Sequence, residues 1–129
     1  MVGSYLLDTN IVIHYFGEDA HIVAQLDALE PVYLPLVVLG ELYYGAFNSE
    51  RKSANLDKLE QFAVKCEILY PDVETSREYG RVKTELQQKG RPLPDNDIWL
   101  AALARQHKFI LVSRDKHFSF IDGIHWEAW

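Results

Sequence analysis

Four short apolar runs are spaced along the chain and separated by stretches with helical patterning, and this alternation limits the architecture more than any other feature. The runs are Tyr5-Leu6-Leu7, Val32-Tyr33-Leu34 between Pro31 and Pro35, Ile68-Leu69, and Phe109-Ile110-Leu111-Val112. Each is strand-sized and apolar throughout, as strands buried on both faces are. A last short strand is expected around Ile124-His125-Trp126. Between them, Thr9-Asn10 precedes a helical stretch that stops at Gly17. Ala20 to Leu29 places Ile22, Val23, Leu26 and Leu29 at amphipathic spacing. Further helices are expected over 37–47, over 51–65, from the capping pair Pro71-Asp72 toward Lys89 with Gly90 and Pro92 ending it, and from Asp95 after Pro94. Trp99 through Ala104 is continuously apolar, so that last helix is expected to be buried on most sides. Strands alternating with helices predict an α/β fold with a central parallel sheet of four to five short strands, covered by helices on both faces. With 129 residues and no repeat or linker, residues 1–129 read as one domain.

Acidic residues stand out against this background. Asp8 is the only Asp, Glu, Lys or Arg before Gly17, and it directly follows the first strand. Glu41 is the only one between Pro31 and Ser49, in the middle of an apolar helix expected to be mostly buried. Asp97 lies in the first turn of the most apolar helix, and Asp115 follows Phe109–Val112 by the turn Ser113-Arg114. Four separate segments can therefore bring acids to the carboxyl ends of the strands, where ligands bind in such sheets.

Each acid also has a structural reading. Asp8 can cap a helix, and Asp95 and Asp97 can face a helix dipole, which is the reading favoured for Asp95. Asp115 can be a turn residue paired with Arg114 or Lys116, and Glu41 can sit in a buried ion pair. One metal site accounts for Asp8, Glu41, Asp97 and Asp115 together. Two carboxylates about 4 Å apart repel by roughly 4 kcal/mol at an effective dielectric near 20. Mg²⁺ or Mn²⁺, which prefer carboxylate oxygen and water, would offset that. Zinc fits poorly, because neither a cysteine pair nor a close histidine pair is present. A carboxylate-held metal pair suits phosphodiester hydrolysis. Asn10 and Ser113 stand beside two of the acids and can orient a water or ligand. Arg114, Lys116 and His117 flank Asp115 and can hold RNA phosphates, or else form a solvated turn.

Other classes find no support. The chain has no phosphate-binding glycine loop, dinucleotide fingerprint or G-x-S-x-G elbow. An aspartyl phosphohydrolase would need a second aspartate where Asn10 stands. Cys66, the single cysteine, reads as a small core residue. Trp126 and Trp129 are expected to close the core or an interface. The net charge of −6 argues against coating nucleic acid through bulk charge, yet it includes the acid cluster itself. With no basic region leading a long apolar run at the start and no membrane-length apolar stretch, a cytoplasmic protein is expected.

These motifs resemble the PIN-domain family, specifically the VapC-type toxins of toxin–antitoxin pairs, over essentially the whole chain. The stretches that carry the resemblance are Leu6-Leu7-Asp8-Thr9-Asn10, Leu39-Gly40-Glu41-Leu42-Tyr43-Tyr44-Gly45-Ala46, Asp95-Asn96-Asp97-Ile98-Trp99-Leu100-Ala101-Ala102 and Leu111-Val112-Ser113-Arg114-Asp115-Lys116-His117-Phe118. Ser113 stands where a threonine is common in the family, keeping the hydroxyl. The resemblance implies an Mg²⁺- or Mn²⁺-dependent endoribonuclease that cuts structured RNA, tRNA or a ribosomal RNA loop. It also implies a homodimer, and a VapB-type antitoxin that covers the site and itself contacts operator DNA. The helix over 51–65 and the apolar positions of the early helices are candidate partner surfaces. Alternatives within the same fold are a housekeeping RNA- or DNA-processing nuclease and a non-catalytic interaction module.

Overall fold

The computed structural model describes residues 3–29 and 31–129. Met1 and Val2, part of the N-terminal stretch read above for a targeting segment, lie outside them. Five strands form one sheet: β1 (Tyr5–Leu7), β2 (Val32–Pro35), β3 (Glu67–Leu69), β4 (Ile110–Val112) and β5 (His125–Glu127). Their spatial order is β3-β2-β1-β4-β5, and every neighbouring pair is parallel. The helices are α1 (Thr9–Phe16), α2 (Ala20–Ala28), α3 (Leu36–Phe47), α4 (Lys52–Val64), α5 (Val73–Gln88) and α6 (Asp95–His107). A 3₁₀ turn over Lys116–Phe120, which apolar patterning did not foresee, joins β4 to β5.

The strand order decides where a ligand can sit. From β1 the chain builds outward through β2 and β3, then returns to place β4 on the other flank of β1. The carboxyl ends of β1 and β4 thus form a topological switch point, where the connections diverge and leave a crevice. Both strands are held by burial: Leu6, Leu7, Leu111 and Val112 are fully enclosed. Asp8 and Ser113, the residues immediately after them, are therefore set side by side by the core itself.

Helix ends follow local chemistry. The Asp8 carboxylate accepts the Thr9 N–H, so the cap of α1 is Asp8 rather than Thr9 or Asn10. Asp19 caps α2, and Asp72 with Thr75 forms a capping box on α5. The expectation for α6 holds, since Leu100 through Ala104 are all buried. The expectation for α3 does not. Only Val38, Leu42 and Ala46 are buried, at spacing four, while Leu36, Tyr44 (73% exposed) and Phe47 face solvent. An apolar sequence marks a face that avoids water, and on α3 part of that face is left uncovered by this chain. Among the described residues no helix is long and apolar enough to cross a membrane.

Candidate active site

A network of short polar contacts joins the ends of β1 and β4. The Asp8 carboxylate, almost fully buried, accepts the Thr9 N–H at 2.7 Å, the Ser113 hydroxyl at 2.7 Å and the Asn10 amide at 3.3 Å. The same Asn10 amide nitrogen donates to Ser113 Oγ at 3.2 Å, and Asn10 Oδ1 accepts the Arg114 N–H at 3.1 Å. Ser113 Oγ in turn accepts the Asp115 N–H at 3.0 Å. Asn10 and Ser113 thereby fix the backbone that carries Asp115 relative to Asp8. Burial pushes the Asp8 carboxyl above its ordinary range, the bonds from Ser113 and Thr9 pull it back, and the charges of Glu41 and Asp115 raise it further.

The other three acids come from outside this network. Glu41 is exposed, not buried as expected, because it lies on the uncovered side of α3; its Oε1 accepts the Thr9 hydroxyl at 2.9 Å. Asp97, half-buried in the first turn of α6, is pushed up to about 6, first by burial and then by Asp8, Asp115 and Glu41, with His117 opposing. The Asp97 carboxyl is thus influenced by the charges of the other three acids as well as by burial. Asp115 caps the 3₁₀ turn by accepting the His117 N–H at 2.9 Å and lies 2.8 Å from His117 Nδ1. Asp8 thus caps α1, as its structural reading had it, and Asp115 lies at a turn as expected, where it caps the 3₁₀ helix.

Asp95 behaves as its structural reading expected. It is exposed and accepts bonds from Tyr79 and Lys83, which hold its carboxyl below the usual range. The expected pairing of Asp115 with Arg114 or Lys116 is not made; among the described residues the basic side chain in contact with it is His117. Arg114 turns back instead, its Nε donating to the Trp129 main-chain oxygen at 2.6 Å and its Nη2 to Asp19 at 3.0 Å. Lys116 and His117 are exposed.

Sequence reasoning missed two contributors. Thr9 was read only as a helix starter, yet its hydroxyl tethers Glu41. Trp126 donates its indole N–H to the Ser113 carbonyl at 2.9 Å, bracing the same turn from β5. Thr9 could have been suspected from its place between Asp8 and Asn10; nothing near Trp126 in sequence signals its role.

Among the described residues no group of three or more acidic, histidine or cysteine side chains is placed so that it could hold a metal ion. The donors available from Asp8, Glu41, Asp97 and Asp115 are all carboxylate oxygens. Such an open, all-oxygen set fits Mg²⁺ or Mn²⁺, ions that keep several waters and need only a few protein ligands, and fits zinc poorly.

A model of the PIN domain matches residues 5–124. The chain belongs to the PIN-domain family. Within it, the VapC proteins are similar over nearly their whole length. Ribonuclease VapC1 of Haemophilus influenzae (strain R2866) is 29% identical over 130 residues, covering 97% of both chains. The tRNA(fMet)-specific endonuclease VapC of Shigella flexneri is 30% identical over 128 residues, again covering 97% of both. Among solved structures, VapBC2 from Rickettsia felis, bound to a DNA fragment from their promoter, aligns with a TM-score of 0.93 at 30% identity over 98% of both chains. The five-stranded parallel sheet flanked by helices is thus a PIN-like α/β fold, as the sequence predicted.

Proposed function

We propose that this PIN-domain chain is a VapC-type endoribonuclease, the toxin of a type II toxin–antitoxin pair, dependent on Mg²⁺ or Mn²⁺ and acting in the cytoplasm on structured RNA, either tRNA or a ribosomal RNA loop. The observation that supports this reading is the half-buried Asp97 carboxyl, raised first by burial and then by acids from three other segments, beside the Asp8–Asn10–Ser113–Asp115 network at the switch point. A chain gains nothing in stability from such a cluster, which points to a role in binding cations. The similarity to proteins named ribonuclease and endonuclease supports RNA as the substrate.

Asp8, Asp97, Asp115 and Glu41 would hold the ion or ions. When bound, a hard divalent cation offsets the negative charge that gathers on a phosphodiester under attack and lowers the pKa of water. The chain's own residues supply placement. Ser113 and Asn10 fix Asp8 against Asp115. Glu41, the exposed acid, is steadied by Thr9 and orients the attacking water. Lys116 and His117 hold RNA phosphates, whereas Arg114 acts through its links to Asp19, Asn10 and Trp129 to keep the turn in place. A VapB-type antitoxin and a second copy of the chain are the expected partners, with operator DNA reached through the antitoxin. The uncovered apolar positions of α3 and Ile13 of α1 support the presence of partners.

The deciding experiment is cleavage of total cellular RNA by purified, antitoxin-free protein with Mn²⁺, with EDTA, and with Asp97→Asn. A discrete fragment pattern lost in both controls is expected. Intact RNA from folded protein would overturn the reading in favour of a non-catalytic module or a DNA substrate.

A further inference from the structure

The acid cluster creates a difficulty for its own substrate. A phosphate backbone approaching four carboxylates on a chain of net charge −6 is repelled unless cations line its route. One such row begins at the site. His117, 2.8 Å from Asp115 through Nδ1, packs its ring 5.9 Å from that of Phe120. On Phe120 lies the guanidinium of Arg91, 4.2 Å from the ring centre. Lys116 is exposed on the same 3₁₀ turn.

Arg91 is held in place by backbone geometry. It follows Gly90, whose positive φ of 67° ends α5, and the two N–H groups bond back to the carbonyls of Gln87 and Leu86. That is the Schellman arrangement, which fixes the departing chain. Lys89 ties the same corner to the 3₁₀ turn by donating to the Phe120 carbonyl at 2.9 Å and pairing with Asp122 at 2.9 Å. Asp122, an acid beside this corner, is thereby paired with a cation. Neither Arg91 nor Lys116 has an ion-pair partner among the described residues. A guanidinium lying over an aromatic ring still has N–H donors to offer a phosphate.

We propose that Arg91, Phe120, His117 and Lys116 form a track that binds the phosphates of an RNA strand flanking the bond held at the acid cluster, with Arg91 as its outer anchor. This rests on the ribonuclease reading above. The test uses the full chain carrying Asp97→Asn, which binds without cutting, and a fluorescein-labelled oligouridylate followed by anisotropy across a salt series. Arg91→Ala is expected to weaken binding about fivefold and to lower the log–log salt slope by about 0.7, the amount one phosphate contact contributes on a single strand. Phe120→Leu, which removes only the stacking surface, is expected to weaken it about twofold. Lys108→Asn serves as the charge-matched control. Lys108 lies before β4, at the opposite end of the sheet, and has the left-handed φ of 58° that asparagine tolerates. It should leave binding unchanged. An Arg91→Ala affinity and slope equal to the parent, or an equal loss in Lys108→Asn, would overturn the track. Wild-type cleavage of total RNA, run alongside, separates the two claims. Cleavage with an unaffected Arg91→Ala overturns the track alone, and neither cleavage nor binding overturns both.

Discussion

Replacing Asp97 by asparagine should make the metal-free protein more stable while destroying its site. Asp97 titrates near 6 in the folded chain against 3.8 in an open one. The ionised carboxylate at neutral pH therefore opposes folding by up to about 3 kcal/mol. Solvent still reaches this half-buried group, so screening reduces the expected figure to about 1–2 kcal/mol. Asparagine has the shape of the protonated acid and none of its charge, so it should recover that amount. For a chain of this size the gain corresponds to a rise in Tm of roughly 4–8 °C. The sign of the pH dependence follows from the raised value. The penalty is complete above about 6, declines as pH falls through that value, and vanishes below 3.8. Thermal melts of both proteins in EDTA, at neutral pH and near pH 4, measure the difference directly. The two should separate at the higher pH and converge at the lower. An Asp97→Asn Tm equal to or below wild type at neutral pH, or a gap independent of pH, would refute the view that the four acids repel one another in one place.

Mg²⁺ should raise the Tm of wild type far more than that of Asp97→Asn, with EDTA reversing it; at a hundredfold excess over Kd the gain approaches about 2.7 kcal/mol. Ser113→Ala removes a fully buried hydroxyl that serves Asp8, Asn10 and Asp115, and urea denaturation should show a loss of about 2–3 kcal/mol. Arg105→Ala leaves Glu78 and Glu85 without the guanidinium that both contact at 2.9 Å, for a cost of about 2–3 kcal/mol at neutral pH. At Glu85 the hydrogen bond from Arg105 is the main cause that holds the carboxyl below the ordinary 4.5, and at Glu78 burial is the largest single effect but Arg105 and Arg81 together outweigh it. This contribution is therefore present above 4.5 and lost as pH falls through the lowered values, so variant and wild type should converge in acid melts.

The inner strands β1, β2 and β4 were legible in the sequence because they are largely buried and so appear as apolar runs, whereas the edge strands β3 and β5, which include Glu67, His125 and Glu127 and stay partly exposed, showed only short apolar fragments. Asp8 and Glu41 stood out for a related reason, being charges placed among apolar residues, whereas Asp97 and Asp115 have polar or charged neighbours and were singled out by their places at a helix start and after a strand. Where reading failed, the missing information was three-dimensional. On α3, apolar character did not distinguish residues facing the core from Tyr44 and Phe47, which face outward, and Glu41 was taken as buried on that account. Arg114 adjoins Asp115 in the chain, yet it pairs with Asp19, about a hundred residues away in sequence. The 3₁₀ turn is too short to show a period of its own, and its ends are set by Asp115 and by the return to β5. Side-chain partners across the sheet depend on strand order, which neither periodicity nor composition encodes.

The pairing of β1 with β4 has a consequence for how the molecule comes into being. Leu6 lies against Leu111 across a span of more than a hundred residues, and closing so long a loop is entropically costly and slow. Asp8 and its helix can form early, but Ser113 and Asp115 reach it only when that closure is made. A chain part-way through refolding carries every acid in its sequence and still has no site, and one part-way through synthesis lacks Asp115 itself. For a protein whose proposed activity is directed against the cell's own RNA, that dependence is itself a safeguard: hydrolytic competence requires the long-range closure of β4 on β1, whereas the surfaces of α1, α3 and α4, on which partners are expected to dock, are built from the first half of the chain.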